Sequence, residues 1–131
     1  MTGGKTKIEV LRSNAVLPKG LPFPDGVMVG NLVLLSGQLG VKPGTLELVP
    51  GGIEAETRAM LENVGRLLET VGLTYSDVVK CTVYLRDFAD FGAMNAVYRE
   101  FFPKEAPTRA TVGVTALAAD YSIEIEVMAA R

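Results

Sequence analysis

Two charges inside strand-like stretches are the residues best placed to do chemistry: Arg109, in Ala106-Pro107-Thr108-Arg109-Ala110-Thr111-Val112-Gly113-Val114, and Glu124, in Ile123-Glu124-Ile125-Glu126. Charge on loops and helix surfaces serves solubility, whereas charge on a strand is held by a rigid element. Strand alternation puts Arg109 on the face of Thr111 and Gly113, away from Val112 and Val114. Beside such small residues a guanidinium has room to receive a carboxylate through two parallel hydrogen bonds, and charge-assisted bonds contribute roughly 1.5–3 kcal/mol each. The same pattern also reads as an Arg–Glu salt bridge between neighbouring strands. Glu124 can hold and deprotonate a water if its surroundings raise its pKa towards neutrality. By pattern Glu126 is its equal, and either carboxylate also reads as a solvated strand residue.

The missing residue types narrow the chemistry. The chain has no histidine, which excludes Ser-His-Asp and Cys-His nucleophile systems, histidine-bearing zinc sites and a histidine general base. One cysteine, Cys81, allows neither an internal disulfide nor a thiolate metal cage, which fits a reducing compartment and makes the cytoplasm the expected location. Cys81 falls on the apolar side of its strand with Val79 and Val83, so it reads as core and not as a nucleophile. Asn95, next to Met94, can hydrogen-bond a substrate amine or cap a loop. Gly37, in Ser36-Gly37-Gln38, permits either close backbone approach by a ligand or a bulge. Gly3-Gly4 and Gly51-Gly52 lack the strand-to-helix context of a phosphate loop.

These residues must be positioned by one ordinary globular domain, expected to span 1–131: 131 residues, 48% hydrophobic and 21% charged. The formal charge of -2 supplies no field for a polyanion, which disfavours nucleic acid as a partner. No stretch approaches the ~20 apolar residues of a membrane span, and Met1 to Lys7 has no apolar signal core. Strands are expected over Lys7–Leu11 and over Val27–Leu35, the latter folded into a hairpin at Gly30-Asn31. Leu17–Gly26, with three prolines and two glycines, is an irregular loop. Apolar residues from Ile53 to Val71 recur every three or four positions, while Glu56, Arg58, Glu62, Arg66 and Glu69 mostly take the other side of the helix, which Gly72 stops. A strand follows over Val79–Leu85, with Val79, Cys81, Val83 and Leu85 on one face. Asp90 reads as the N-cap of a second helix carrying the apolar stripe Phe91, Met94, Val97, Tyr98, Phe101 and Phe102. Two last strands run over Thr108–Val114 and Ser122–Ala129. The order β, hairpin, α, β, α, β, β implies an α+β sandwich with both helices on one face of a mixed six-stranded sheet. The uncovered face then meets water or another subunit.

Taken together, Leu34-Leu35-Ser36-Gly37-Gln38, Leu61-Glu62-Asn63-Val64, Asp77 to Leu85, Met94 to Phe102, Pro107-Thr108-Arg109-Ala110 and Ile123-Glu124-Ile125-Glu126 match in order and spacing. The chain resembles, over nearly its whole length, the Rid family of reactive-intermediate deaminases, also called the YjgF family and often labelled endoribonuclease L-PSP. The resemblance implies a chorismate-mutase-like fold assembled as a homotrimer around a central barrel, with clefts between subunits. It also implies hydrolysis of enamines and imines such as 2-aminoacrylate to 2-keto acids and ammonia, with no cofactor. In that reading Arg109 clamps the substrate carboxylate and Glu124 holds the attacking water. Backbone groups near Gly37 and Thr111 fix the remaining polar atoms, and Asn95 matches the family's asparagine at the cleft edge. The non-enzymatic alternative is a trimer binding small carboxylates or partner proteins in the same clefts; RNA cleavage would have to rest on carboxylates and Arg109 alone.

The chain departs from the archetype at the cleft. Leu21-Pro22-Phe23 stands where archetypal members carry Gly-Pro-Tyr, so Phe23 offers a ring without a hydroxyl. Thr111 replaces a cysteine. Pro24-Asp25 adds a carboxylate expected beside the pocket, where it repels an anion or recognises an amine.

Overall fold

Strict alternation in some stretches and helical spacing in others become one mixed sheet with two helices. A computed structural model describes residues 5–131; the Gly3-Gly4 pair and most of the Met1–Lys7 stretch lie outside them. Strands β1 (Ile8–Leu11), β2 (Gly26–Val29), β3 (Leu32–Leu35) and the short β4 (Gln38–Leu39) come first. Helix α1 (Gly52–Glu69), β5 (Val78–Leu85), helix α2 (Phe91–Phe101), β6 (Thr108–Gly113) and β7 (Ile123–Ala130) follow. The strands lie in the order β1-β2-β3-β7-β5-β6, with β4 also on β7. Among the described residues only β5 and β6 run parallel, and α2 is the crossover such a pair requires. Among the described residues no helix is long and apolar enough to cross a membrane.

The hairpin turns where expected, with Val29 opposite Leu32. Positive φ is needed only at Gly30 (59°), the pattern of a turn with glycine at its first central position. Along β7, Ile123, Ile125, Val127 and Ala129 are buried, and α1 and α2 press onto that face with Met60, Leu61, Val64, Leu67, Leu68, Met94 and Val97. Full burial of such side chains stabilises by roughly 1.5–3 kcal/mol each. Arg58 on α1 and Glu100 on α2 join the helices outside the core through two hydrogen bonds of 3.1 and 2.9 Å.

Four local expectations are corrected. Val78 pairs with Ala129 and Lys80 with Met128, so Val79 is the extra residue of a bulge; it is exposed, and Val78 takes the buried place on the face of Cys81. Glu56 does not join the solvated side of α1: it is 3% exposed, and its Oε2 accepts hydrogen bonds from the backbone N–H groups of Ser122 (2.7 Å) and Ile123 (3.2 Å). Asp90 makes no side-chain capping bond, because a 3-10 turn over Phe88–Asp90 feeds α2 directly and Asp87 accepts from the Ala89 N–H instead. Asp25 is 6% exposed and is not among the residues lining the cleft of Glu124; its Oδ2 accepts from both the N–H (2.6 Å) and the hydroxyl (2.7 Å) of Ser13, tying the Leu17–Gly26 loop to the end of β1.

Candidate active site

The sheet's registers decide which side chains can meet. Arg109 lies beside Cys81 and Thr111 beside Val83, so both share the helix-covered face. Glu124 lies beside Tyr84 and Glu126 beside Thr82, on the open face. Strand β5 separates β6 from β7. The neighbouring-strand salt bridge between Arg109 and a β7 glutamate is therefore excluded within one chain, and the candidate residues form two clusters.

The first cluster surrounds Glu124. Between Leu34, opposite Met128, and Gln38, opposite Ile125, three residues face two on β7, which places a bulge at Ser36-Gly37. The bulge and the close approach expected of Gly37 occur together: a Cβ on Gly37 would lie 2.5 Å from Glu124 Oε2. The loop is held by the Ser36 hydroxyl donating to the Pro24 carbonyl (2.7 Å) and by the Gln38 amide donating to the Ser36 carbonyl (2.8 Å). Glu124 and Gly37 line a cleft of about 700 Å³ whose walls are mainly apolar, with Leu17, Leu21, Phe23 and Leu46 among them. Tyr121 also lines it, but its hydroxyl is committed to the Leu46 carbonyl. Burial, and after it the charge of Glu126, pushes the Glu124 carboxyl above its ordinary pKa. Glu126 is exposed and accepts a hydrogen bond from the Tyr84 hydroxyl at 3.2 Å. Environment thus separates two carboxylates that alternation leaves equal.

The second cluster surrounds Arg109. Its guanidinium carbon lies 4.6 Å from the ring centre of Tyr98 and 5.6 Å from that of Phe91. Among the described residues it pairs with no carboxylate; the ion pairs there are Lys42–Glu47 and Arg58–Glu100. Asn95, half-buried, stands four residues after Phe91 and three before Tyr98, hence on the same side of α2. The Thr111 hydroxyl and the Tyr98 hydroxyl are both buried without a hydrogen-bond partner. Burial pushes the Cys81 thiol up to about 11, which keeps it protonated and fits a core role. Among the described residues no group of three or more His, Cys, Asp or Glu side chains could hold a metal ion.

One cluster therefore gathers Phe23, Gly37 and Glu124, and the other Arg109, Thr111 and Asn95. Helical spacing alone assigns Tyr98 and Phe91 to the core stripe, and no pattern in the sequence singles out Tyr121. The spacing of Phe91, Asn95 and Tyr98 was the available signal, but it carries no information about which strand residue faces it.

Residues 14–131 match the family model described as endoribonuclease L-PSP. A RutC family protein of Pyrococcus horikoshii is 42% identical over 120 residues, covering 92% of this chain and 94% of that protein. A 2-iminobutanoate/2-iminopropanoate deaminase of Escherichia coli is 42% identical over 113 residues, covering 84% and 88%. Among solved structures, Escherichia coli TdcF with bound serine superposes with a TM-score of 0.85 at 35% identity, covering 94% of this chain and 99% of that one.

Proposed function

The chain belongs to the endoribonuclease L-PSP (YjgF/Rid) family, and from that premise we propose that it is a cofactor-independent hydrolytic deaminase of 2-imino acids and their enamine tautomers. The observation that carries the reading is the Arg109 guanidinium, held on aromatic rings and paired with no carboxylate among the described residues. An uncompensated guanidinium on a rigid strand is suited to a substrate carboxylate.

In the proposed reaction Arg109 clamps the carboxylate of R–C(=NH)–COO⁻ and orients its carbon. Glu124 accepts a proton from water as the water oxygen bonds to that carbon, and passes it to the imine nitrogen, giving the neutral carbinolamine. Glu124 then takes the carbinolamine hydroxyl proton and delivers it to the amine as the C=O bond forms and the C–N bond breaks, releasing the 2-keto acid and ammonia and restoring the carboxylate. An enamine first takes a proton at its β-carbon and loses one from nitrogen to become the imine. The electrophile is already reactive, so orientation and proton shuttling by one carboxylate suffice. The Gly37 backbone, Thr111 and Asn95 bind the substrate's remaining polar atoms, and Phe23 with its apolar neighbours contacts the side chain. The apolar lining of the cleft favours uncharged side chains, because burying an unpaired charge is costly.

The clusters lie on opposite faces of the sheet, so the proposed site is completed by a second copy: Arg109 of one subunit with Glu124 of the next, in a closed homotrimer of identical Rid-type domains. No polyanion-attracting charge favours RNA as substrate, given the net charge of -2.

The test generates 2-imino acids in place with an amino-acid oxidase and traps unhydrolysed imine with semicarbazide. Wild-type protein is expected to suppress trapping and Arg109→Ala to leave it unchanged, with uncharged imino acids turned over faster than the imine of glutamate. Folded wild-type protein that never alters trapping refutes the deaminase reading in favour of a carboxylate-binding protein.

A further inference from the structure

We propose that Tyr98 and Phe91 are positioning residues that hold the Arg109 guanidinium between aromatic faces and leave its N–H edge free for a carboxylate. The proposal rests on the deaminase reading for its functional consequence only, since the cradle itself is a matter of geometry.

A strand arginine needs something to fix its long side chain. A carboxylate would do so by occupying the fork of donors and cancelling the charge. An aromatic face attracts the cation through its quadrupole instead, and the donors, which lie in the guanidinium plane, stay available. Arg109 has the second arrangement, at 4.6 Å from Tyr98 and 5.6 Å from Phe91. Both rings are braced. Phe91 stacks on Phe88 with centres 5.1 Å apart and planes at 19°. Tyr98 is 8% exposed and packs on Phe102 at 4.8 Å, and Phe102 meets Tyr75 edge-on at 5.7 Å. The Tyr98 hydroxyl lies beside the Cys81 thiol and makes no hydrogen bond to Arg109, so it is the ring that engages the guanidinium. A Leu at either position would keep the apolar contact and lose the quadrupole.

The direct test is the Arg109 side-chain Nε–H signal by NMR, assigned by its loss in Arg109→Lys. Ring currents are expected to move it upfield in wild type and in Tyr98→Phe, and back towards the ordinary arginine position in Tyr98→Leu. Phe91→Leu, at a half-buried site less able to disturb folding, is expected to move it partway. Kinetics supply the second readout. Tyr98→Leu is expected to raise KM for 2-iminobutanoate, and the Kd for 2-oxobutanoate measured by calorimetry, about ten-fold. Its kcat stays within about two-fold, and Tyr98→Phe rescues both constants. An unshifted Arg109 signal in wild type overturns the cradle, as does Tyr98→Phe behaving like Tyr98→Leu. If the signal shifts as expected while wild type hydrolyses no imine, the cradle stands and the deaminase reading alone fails.

Discussion

Arg109 and Glu124 project from opposite faces of one sheet, with β5 between their strands. A small imino acid cannot touch both through a sheet, so a site using both must combine two copies of the chain. A site shared in that way would be heterologous, one patch of each subunit meeting a different patch of its neighbour, and such contacts form a closed ring when the rotation between copies closes.

Subunit complementation follows from that geometry. Arg109→Ala and Glu124→Gln are each expected to lose activity as homo-oligomers. Mixed by unfolding and refolding at equal concentrations, they regain sites in which an intact Arg109 meets an intact Glu124. Random assembly gives about a quarter of wild-type sites. A refolded mixture as inactive as its parents means that both residues serve one chain's site, or none.

The Glu124 carboxyl is raised first by burial and second by Glu126. As a base it works ionised, so kcat/KM falls on the acid side, with its limb above the ordinary glutamate value of about 4.3. Glu126→Gln removes the repulsive share and moves that limb to lower pH. Stability runs the other way. A carboxyl with a raised folded pKa contributes stability below its unfolded pKa and loses it as pH rises through the folded one. Glu124→Gln is therefore expected to melt above wild type at pH 8, the gap closing towards about pH 4. A limb unmoved by Glu126→Gln, or Glu124→Gln melting lower at pH 8, contradicts the assignment.

What was readable in the chain follows the same physics. Alternation in Ile123 to Ala129 and helical spacing from Met60 to Leu68 report which face of an element is buried, because the core imposes both periods. They report nothing about phase between elements. Arg109 and Glu124 were both legible as strand charges, but their faces depend on strand order and register. Val79 was misplaced because a bulge breaks the period without any residue type to announce it. Glu56 and Asp25 look like solvated carboxylates until their long-range partners, Ser122 with Ile123 and Ser13, are in place. The Rid-like motifs around Gly37 and Arg109 mark the candidate residues, whereas the aromatic setting of Arg109 depends on how α2 packs against β6, which no spacing within either element fixes.

Gly37 gives a test at the carboxylate itself. A Cβ there would lie 2.5 Å from Glu124 Oε2 and 3.0 Å from its carboxyl carbon, too close for either to stay. Displacement of a reacting group by about 1 Å costs on the order of 100-fold in rate. Gly37→Ala is expected to lower kcat by about 10- to 100-fold while the protein remains folded by circular dichroism and binds 2-oxobutanoate at near wild-type affinity. Unchanged kcat would mean that the carboxylate's present position is irrelevant to turnover.

Glu56 tests how the Glu124 strand is anchored. Its Oε2 accepts from the backbone N–H groups of Ser122 and Ile123, the two residues before Glu124, from a position 3% exposed in α1. Both bonds reach one oxygen, so a glutamine carbonyl oxygen in that place can accept both, whereas alanine leaves two N–H groups without a partner. Each unsatisfied buried donor costs about 1–3 kcal/mol. Glu56→Ala is accordingly expected to lose about 2–5 kcal/mol in urea unfolding, and Glu56→Gln about 1 kcal/mol or less. The midpoint of unfolding and its slope are the quantities to measure, with kcat alongside. Since Ser122 and Ile123 set where Glu124 begins, Glu56→Ala is expected to lower kcat under conditions where it is still fully folded, and Glu56→Gln to restore it. If the two variants unfold alike, charge and not hydrogen-bond acceptance holds the start of β7.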